Sequence, residues 1–213
     1  MKACRYTSYV FLLFYLLLFS MKGDVMAFEE AKYKVIIKDG EFELRQYEPQ
    51  IVAETIVEGD FAEVGNEGFR RLFKYISGNN SKKQSISMTA PVSQTKSSEK
   101  IEMTAPVNLE EVGGKWRITF LMPSEYTMET LPAPLDARVE LKELSARLVA
   151  AIRYSGTWSR NRYQEKKTQL YEMIKKRDLK PTGVAIFARY DSPFKLWFLR
   201  RNEVLIPVVE VHQ

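Results

Sequence analysis

The 213-residue chain is 45% apolar and 28% charged with a net charge of +5, a globular balance that excludes disordered, collagen-like and disulfide-dense classes. Its one cysteine, Cys4, and one histidine, His212, exclude a Cys/His zinc site, which needs about four such ligands. A Cys–His dyad or a Ser–His–Asp triad would have to recruit the penultimate residue.

Lys2 and Arg5 precede an uninterrupted apolar run of 11 residues from Tyr9 to Phe19. A spanning helix needs about 20 residues, whereas a run of this length behind a basic start matches a secretory signal peptide. Val25-Met26-Ala27 supplies tolerated residues at the cleavage site, so residues 1–27 are expected to be removed and 28–213 to form a single domain. An uncleaved N-terminal anchor is the rival reading. Cleavage predicts an exported protein, periplasmic or secreted, with no cysteine and no stable membrane insertion. Three basic residues and one acidic residue leave with the segment, so the net charge falls to +3. That mild bias, spread along the chain, does not point to nucleic acid. The densest basic cluster, Lys166-Lys167 and Lys175-Lys176-Arg177, falls on a predicted helix and reads as its solvated face.

Asp39-Gly40 between two β-rich runs, 33–38 and 41–47, is a strong hairpin signal. In the second run Phe42 and Leu44 alternate with Glu41, Glu43 and Arg45. A strand is predicted over 51–57. Then Phe61, Val64, Phe69, Leu72, Phe73 and Ile76 recur at helical spacing, predicting a helix over 61–77 with Asp60 at its start and Gly78 at its end. Gly65 and Gly68 weaken its first half and mark a bend or a close approach. A polar loop over 77–83 leads to two short strands, each ending in proline. Strands follow over 115–122, 137–144 and 147–154. A second helix is predicted over 160–177, with Ser159 as its cap, and the last strands cover 184–190 and 203–211.

The chain repeats itself at two levels. Ile86-Ser-Met-Thr-Ala-Pro-Val92 returns 15 residues on as Ile101-Glu-Met-Thr-Ala-Pro-Val107. More coarsely, each half reads strand, strand, helix, strand, strand, and Gly59-Asp60-Phe61 before the first helix echoes Gly156-Thr157-Trp158 before the second. The fold class predicted is α+β, a pseudo-twofold antiparallel sheet, curved or barrel-like, carrying two helices.

The segments 68–80, both Met-Thr-Ala-Pro-Val copies, Phe120-Leu-Met-Pro-Ser-Glu-Tyr126, Leu131-Pro-Ala-Pro-Leu-Asp136, Tyr154-Ser-Gly156 and Leu199-Arg-Arg-Asn-Glu203 together resemble the SOUL / haem-binding protein family. The resemblance runs from about Lys32 to the C-terminus. It implies a distorted β-barrel flanked by two helices, similar to effector-binding domains of bacterial regulators. It also implies a binding protein for haem or iron-free porphyrin rather than an enzyme, expected to act as a monomer. The family's porphyrin position maps onto one face of the first helix and the loop before the last strand. Here those positions hold Phe69, Leu72 and Phe73 as apolar surface, with Arg70 or Arg71 and Lys74 as cations. The later loop offers Phe194, Lys195 and Trp197.

A porphyrin needs an apolar slot and a few cations for its propionates, with an axial ligand optional. Some family members are proposed to ligate iron through a histidine in the first half, and this chain has none there. Axial ligation would fall to Tyr75, Tyr47, Met88 or Met103, or be absent. Plainer readings stand beside these. Phe69, Leu72 and Phe73 also fit a core stripe, Met88 and Met103 fit core packing, and Pro91 and Pro106 fit strand ends at a sheet edge. Arg200-Arg-Asn-Glu203 fits ion pairs that fix the approach to the last strand. Three function classes remain: a tetrapyrrole-binding module, a module for another small amphipathic ligand, and a carboxylate/Tyr-based hydrolase.

Overall fold

The computed structural model describes residues 29–96, 115–192 and 194–211. The signal-peptide reading, the second Met-Thr-Ala-Pro-Val copy with Met103 and Pro106, and His212 lie outside the described residues.

The elements in order are β1 (Glu29–Glu30), β2 (Tyr33–Asp39), β3 (Phe42–Tyr47), β4 (Gln50–Glu58), helix α1 (Phe61–Ile76), β5 (Thr89–Ala90), β6 (Val92–Lys96), β7 (Lys115–Leu121), β8 (Val139–Leu144), β9 (Arg147–Tyr154), helix α2 (Arg160–Lys175), β10 (Leu179–Pro181), β11 (Ile186–Arg189), a 3-10 turn (Trp197–Leu199) and β12 (Asn202–Glu210). One sheet runs β2-β3-β9-β12-β11-β6-β7-β4-β8, with β10 paired to β12, and β1 pairs with β5 separately. Every pairing in the large sheet is antiparallel.

That order carries the internal symmetry predicted from the repeats. Exchanging β3 with β8, β4 with β9, β6 with β11 and β7 with β12 turns the path from β3 to β8 into itself, read backwards. The centre is the β6–β11 pair, where Val92 faces Arg189 and Gln94 faces Phe187. The first strand of each half pairs with the other half, β3 on β9 and β8 on β4. Neither half could therefore complete its sheet alone. The matched glycines before the helices both take positive φ, 134° at Gly59 and 130° at Gly156, a turn that L side chains resist.

Both helices pack on one face of the curled sheet. α1 lies across β4 and β7, and α2 across β9, β10 and β12. One core cluster joins Leu72, Tyr75 and Ile76 of α1 to Leu170 and Ile174 of α2 through Phe42, Leu44, Ile118, Ile152, Phe187 and Ile206. At its centre Phe61 stacks on Tyr163 at 5.8 Å and on Phe187 at 5.7 Å between centroids, and meets Trp116 edge-on at 5.4 Å. The two glycines of α1 are explained by close approach, and the helix continues through both. A Cβ on Gly68 would fall 2.6 Å from Ile118 Cγ1, and one on Gly65 would fall 3.2 Å from Arg189 Nη1. Each glycine thus lets the helix settle onto the sheet.

Helix ends depart little from expectation. Asp60 caps α1 through its backbone carbonyl, which accepts from Glu63 and Val64, and its side chain makes no cap bond. Ser159 caps α2 with its hydroxyl, which accepts from Arg162 N at 3.3 Å. The 77–83 loop is pinned by fully buried Asn80, whose Nδ2 donates to Tyr75 O and Gln84 O.

The strand reading needs correcting at Pro91 and at β10. The strand expected to end at Pro91 breaks there instead: β5 stops at Ala90, the Ala90–Pro91 bond is cis, and β6 starts at Val92. β6 lies in the middle of the sheet between β11 and β7, so Pro91 marks the entry of an interior strand and not a sheet edge. β10 was hidden because Pro181 and Gly183 read only as helix stops. On the side of β3 that carries Glu43 and Arg45, Arg45 is 1% exposed, with the Tyr33 ring over its guanidinium.

Candidate functional site

α1 shows how burial divides its apolar residues. Leu72 is fully buried and turns into the core, so it offers no surface. Phe69 and Phe73, one helical turn apart, stay 37% and 45% exposed. Their rings stack at 5.7 Å with only 12° between planes, and Phe69 rests edge-on against Phe120 of β7 at 5.3 Å. A flat apolar step therefore stands on the outer side of the helix, anchored from beneath by the sheet.

Cations frame that step. Arg70 is exposed and pairs with Glu67 at 2.7 Å, and Arg71 joins the same carboxylate at 2.9 Å while donating to Ile56 O of β4. Glu67, held by two guanidiniums, stays below the ordinary carboxylate pKa, with the Arg71 hydrogen bond the main cause. Lys74 is exposed and forms no ion pair among the described residues.

The second candidate segment is the loop from Tyr190 to Arg201, between β11 and β12. Phe194 is 94% exposed, and Leu196, Trp197, Phe198 and Leu199 are all more than half exposed. Trp197 and Phe198 pack edge to face at 5.6 Å. Lys195 pairs with Asp191 at 2.6 Å, and the Lys195 carbonyl accepts from Arg200 Nε at 2.8 Å. The loop leaves the sheet just after Arg189, whose guanidinium lies beside Gly65 of α1, one turn before Phe69. The root of the apolar loop thus lies beside the first half of α1.

The root of this loop is rigid. Glu203 and Arg45 are both essentially without solvent exposure and pair at 2.6 Å. Glu203 also accepts from the Tyr190 hydroxyl at 2.8 Å and from Arg201 Nε at 3.0 Å, and Arg201 reaches Glu30 of β1 at 2.8 Å. The ion pairs expected of the Arg200–Glu203 stretch are therefore present at Arg201 and Glu203, and they tie β1, β3 and β12 together. Sequence reading missed Arg45 as their centre, since its partner lies 158 residues away.

Of the candidate axial ligands among the described residues, the two tyrosines are engaged within the protein. Tyr75 is buried and donates to Pro132 O at 2.9 Å, with burial pushing its pKa up to about 12. Tyr47 is buried and its hydroxyl accepts from Arg45. Met88 is half-buried against the main core. Among the described residues, no group of three or more His, Cys, Asp or Glu side chains is placed to hold a metal ion.

Two depressions lie elsewhere. One of about 570 Å³ sits between the end of α2 and β10, lined by Tyr171, Ile174, Lys175, Leu179 and Lys180 among others. Another of about 510 Å³ is ringed by Glu29, Glu30, Glu48, Glu129 and Glu143, a poor setting for an anionic ligand.

Family membership rests on a match along nearly the whole chain. The SOUL heme-binding protein family matches residues 28–207. The chain belongs to this family. Heme-binding protein 2 of Homo sapiens is 29% identical over 175 residues, covering 77% of this chain and 80% of that protein. Heme-binding protein 1 of Xenopus laevis is 25% identical over 174 residues, covering 78% and 87%. Among solved structures, the EcmrR C-terminal domain aligns with a TM-score of 0.59 over 84% of this chain and 99% of its own, at 11% identity. A protein described as a hydrolase from Listeria innocua aligns with a TM-score of 0.54 over 82% and 94%, also at 11% identity. These two likenesses establish the shared α+β architecture and nothing about chemistry.

Proposed function

We propose that this protein binds haem or iron-free porphyrin on the outer face of α1 beside the 190–201 loop, without histidine ligation, and acts as a binding module and not as an enzyme. The observation that carries the reading is the stacked, exposed Phe69–Phe73 pair. Two nearly parallel phenyl rings, with Phe69 resting edge-on against Phe120, offer a macrocycle a preformed apolar surface. Lys74 and Arg70 stand beside it for the propionates, and Phe194, Lys195 and Trp197 of the loop are the further contacts expected. Family membership and relatives named heme-binding proteins support the tetrapyrrole as ligand class.

Tyr75 and Tyr47 are committed to internal hydrogen bonds, so the ring is held by apolar contact and by exposed ion pairs worth about 0–1 kcal/mol each. Apolar burial at roughly 25 cal/mol per Å², offset by the cost of association, gives affinity in the micromolar range. Because the face is open, another flat amphipathic anion is the second reading. Glu67, a carboxylate near the face, is engaged by Arg70 and Arg71. The 11-residue apolar run and Val25-Met26-Ala27 support export with cleavage after Ala27, giving a periplasmic or secreted monomer; N-terminal sequencing of the exported protein tests it.

Absorbance titration with haemin and with iron-free porphyrin tests the ligand. Both are expected to bind with similar affinity, and His212→Ala is expected to change neither. A His212→Ala variant that lost the Soret shift, in a protein that never bound iron-free porphyrin, would make iron ligation the basis of recognition.

A further inference from the structure

Arg189 ends β11 at the centre of the pseudo-twofold sheet and has no acidic partner among the described residues. Its guanidinium carbon stands 4.9 Å from the Trp158 ring centroid, 4.9 Å from Phe187 and 5.8 Å from Phe61. Nη2 donates to Gln94 Oε1 at 3.0 Å, and Gly65 makes room for Nη1. Nε is buried and makes no hydrogen bond within the protein. Burial without a counter-charge pulls the pKa down to about 10, far below the usual arginine value.

A second buried group is also unpaired. The Tyr154 hydroxyl, behind Phe187, has no hydrogen-bond partner within the protein. Arg189 and Arg162 are the charges that act on it. Arg162 lies against Gly156, where an added Cβ would come within 3.2 Å of its Nε. It is exposed and forms no ion pair among the described residues. The wall between these arginines is held by fully buried Asn202, which accepts from Trp158 Nε1 at 2.9 Å and donates to Gly156 O at 3.1 Å. Arg200 also stacks on Trp158, at 4.5 Å from the ring centroid.

The guanidinium is held by three ring faces and one amide oxygen, but with an orphaned phenol and a second arginine beside it and no acidic partner among the described residues, it is well placed to take a negative charge. We infer that this cluster is an oxyanion-binding site, in which a carboxylate or phosphate group enters past the exposed Arg162 and displaces the side chains over the buried Arg189 Nε and Tyr154 hydroxyl to accept from them. The aromatic walls lower the local dielectric and strengthen the charge-assisted bonds. The guanidinium fork suits a planar or tetrahedral oxyanion better than chloride. The site does not depend on a ring binding to Phe69 and Phe73.

Thermal unfolding of the full chain in chloride and in inorganic phosphate, at matched ionic strength, tests it. Phosphate at ten times its Kd should raise the wild-type midpoint by about 3–5 °C. Arg189→Met should lose that rise, yet melt no lower than wild type in chloride, because an apolar chain of similar length replaces an uncompensated charge. Arg162→Gln, an exposed change that leaves the core intact, should weaken phosphate binding about tenfold by calorimetry. Competition between phosphate and a dicarboxylic porphyrin, but not its dimethyl ester, would name the tetrapyrrole's carboxylate as the occupant; failure of both to compete would name a free anion. The inference is overturned if wild type gains nothing from phosphate over chloride. It is equally overturned if Arg162→Gln binds phosphate as wild type does, or if Arg189→Met melts lower in chloride and keeps the full phosphate response.

Discussion

Truncating Phe73 separates porphyrin contact from folding. The side chain is 45% exposed, and a phenylalanine carries roughly 200 Å² of surface, so about 90 Å² is open to a ligand. At about 25 cal/mol per Å², covering that area contributes about 2 kcal/mol, or close to 30-fold in Kd, as an upper value for Phe73→Ala. The loss should be the same for haemin and for iron-free porphyrin, since no iron bond is involved. Leu72→Ala, next along the helix, provides the contrast. Leu72 has no exposed surface, so its truncation should cost about 2–5 kcal/mol of stability while the folded fraction binds porphyrin as before. Fluorescence-quenching titrations give the two Kd values, and urea unfolding gives the stabilities. If Phe73→Ala stays folded and both Kd values move by less than twofold, the α1 face is not the binding surface. If only haemin weakens, recognition passes through the iron.

Three further outcomes follow from the packing. Arg45→Met should lower stability by about 3 kcal/mol or more in urea, because Glu203 stays buried with a partner removed, while Arg45→Met with Glu203→Leu should recover most of it; an unchanged midpoint in the single variant would contradict the buried pair. Gly68→Ala should destabilise by about 1–3 kcal/mol despite alanine's better helix propensity, since its Cβ would sit 2.6 Å from Ile118 Cγ1, and Ile118→Val should relieve part of the loss; a stabilised variant would show that α1 is not seated on β7. Tyr75 carries an alkaline effect. Burial raises its folded pKa to about 12, while an unfolded phenol ionises near pH 10, so its contribution is complete below about pH 10 and is lost as pH rises towards 12. That loss is about 1.4 kcal/mol at pH 11, and Tyr75→Phe should fall less than wild type between pH 8 and pH 11; an identical fall in both would remove Tyr75 as its source.

Local pattern was enough to place the two helices and most strands of this protein. Periodicity from Phe61 to Ile76 and the hydroxyl of Ser159 act within a few residues, and the repeated Gly-x-aromatic turns disclosed the duplication because each half obeys the same local rules. Family resemblance, read from six short segments, pointed to the fold and the ligand class. Which side of each element meets solvent was decided only by the assembled sheet. β3 crosses to β9 in the other half, and so Arg45 on its polar side became a buried partner of Glu203. On α1, three apolar residues within five positions look alike as a stripe. The position of β7 under the helix buries Leu72 and leaves Phe69 and Phe73 stacked in the open. The cluster proposed for an oxyanion draws Tyr154, Trp158, Arg162 and Arg189 from β9, a turn, α2 and β11, with no motif joining them. Charge and burial are properties of neighbours in space, and the half-to-half strand exchange that creates those neighbours exists only in the tertiary structure.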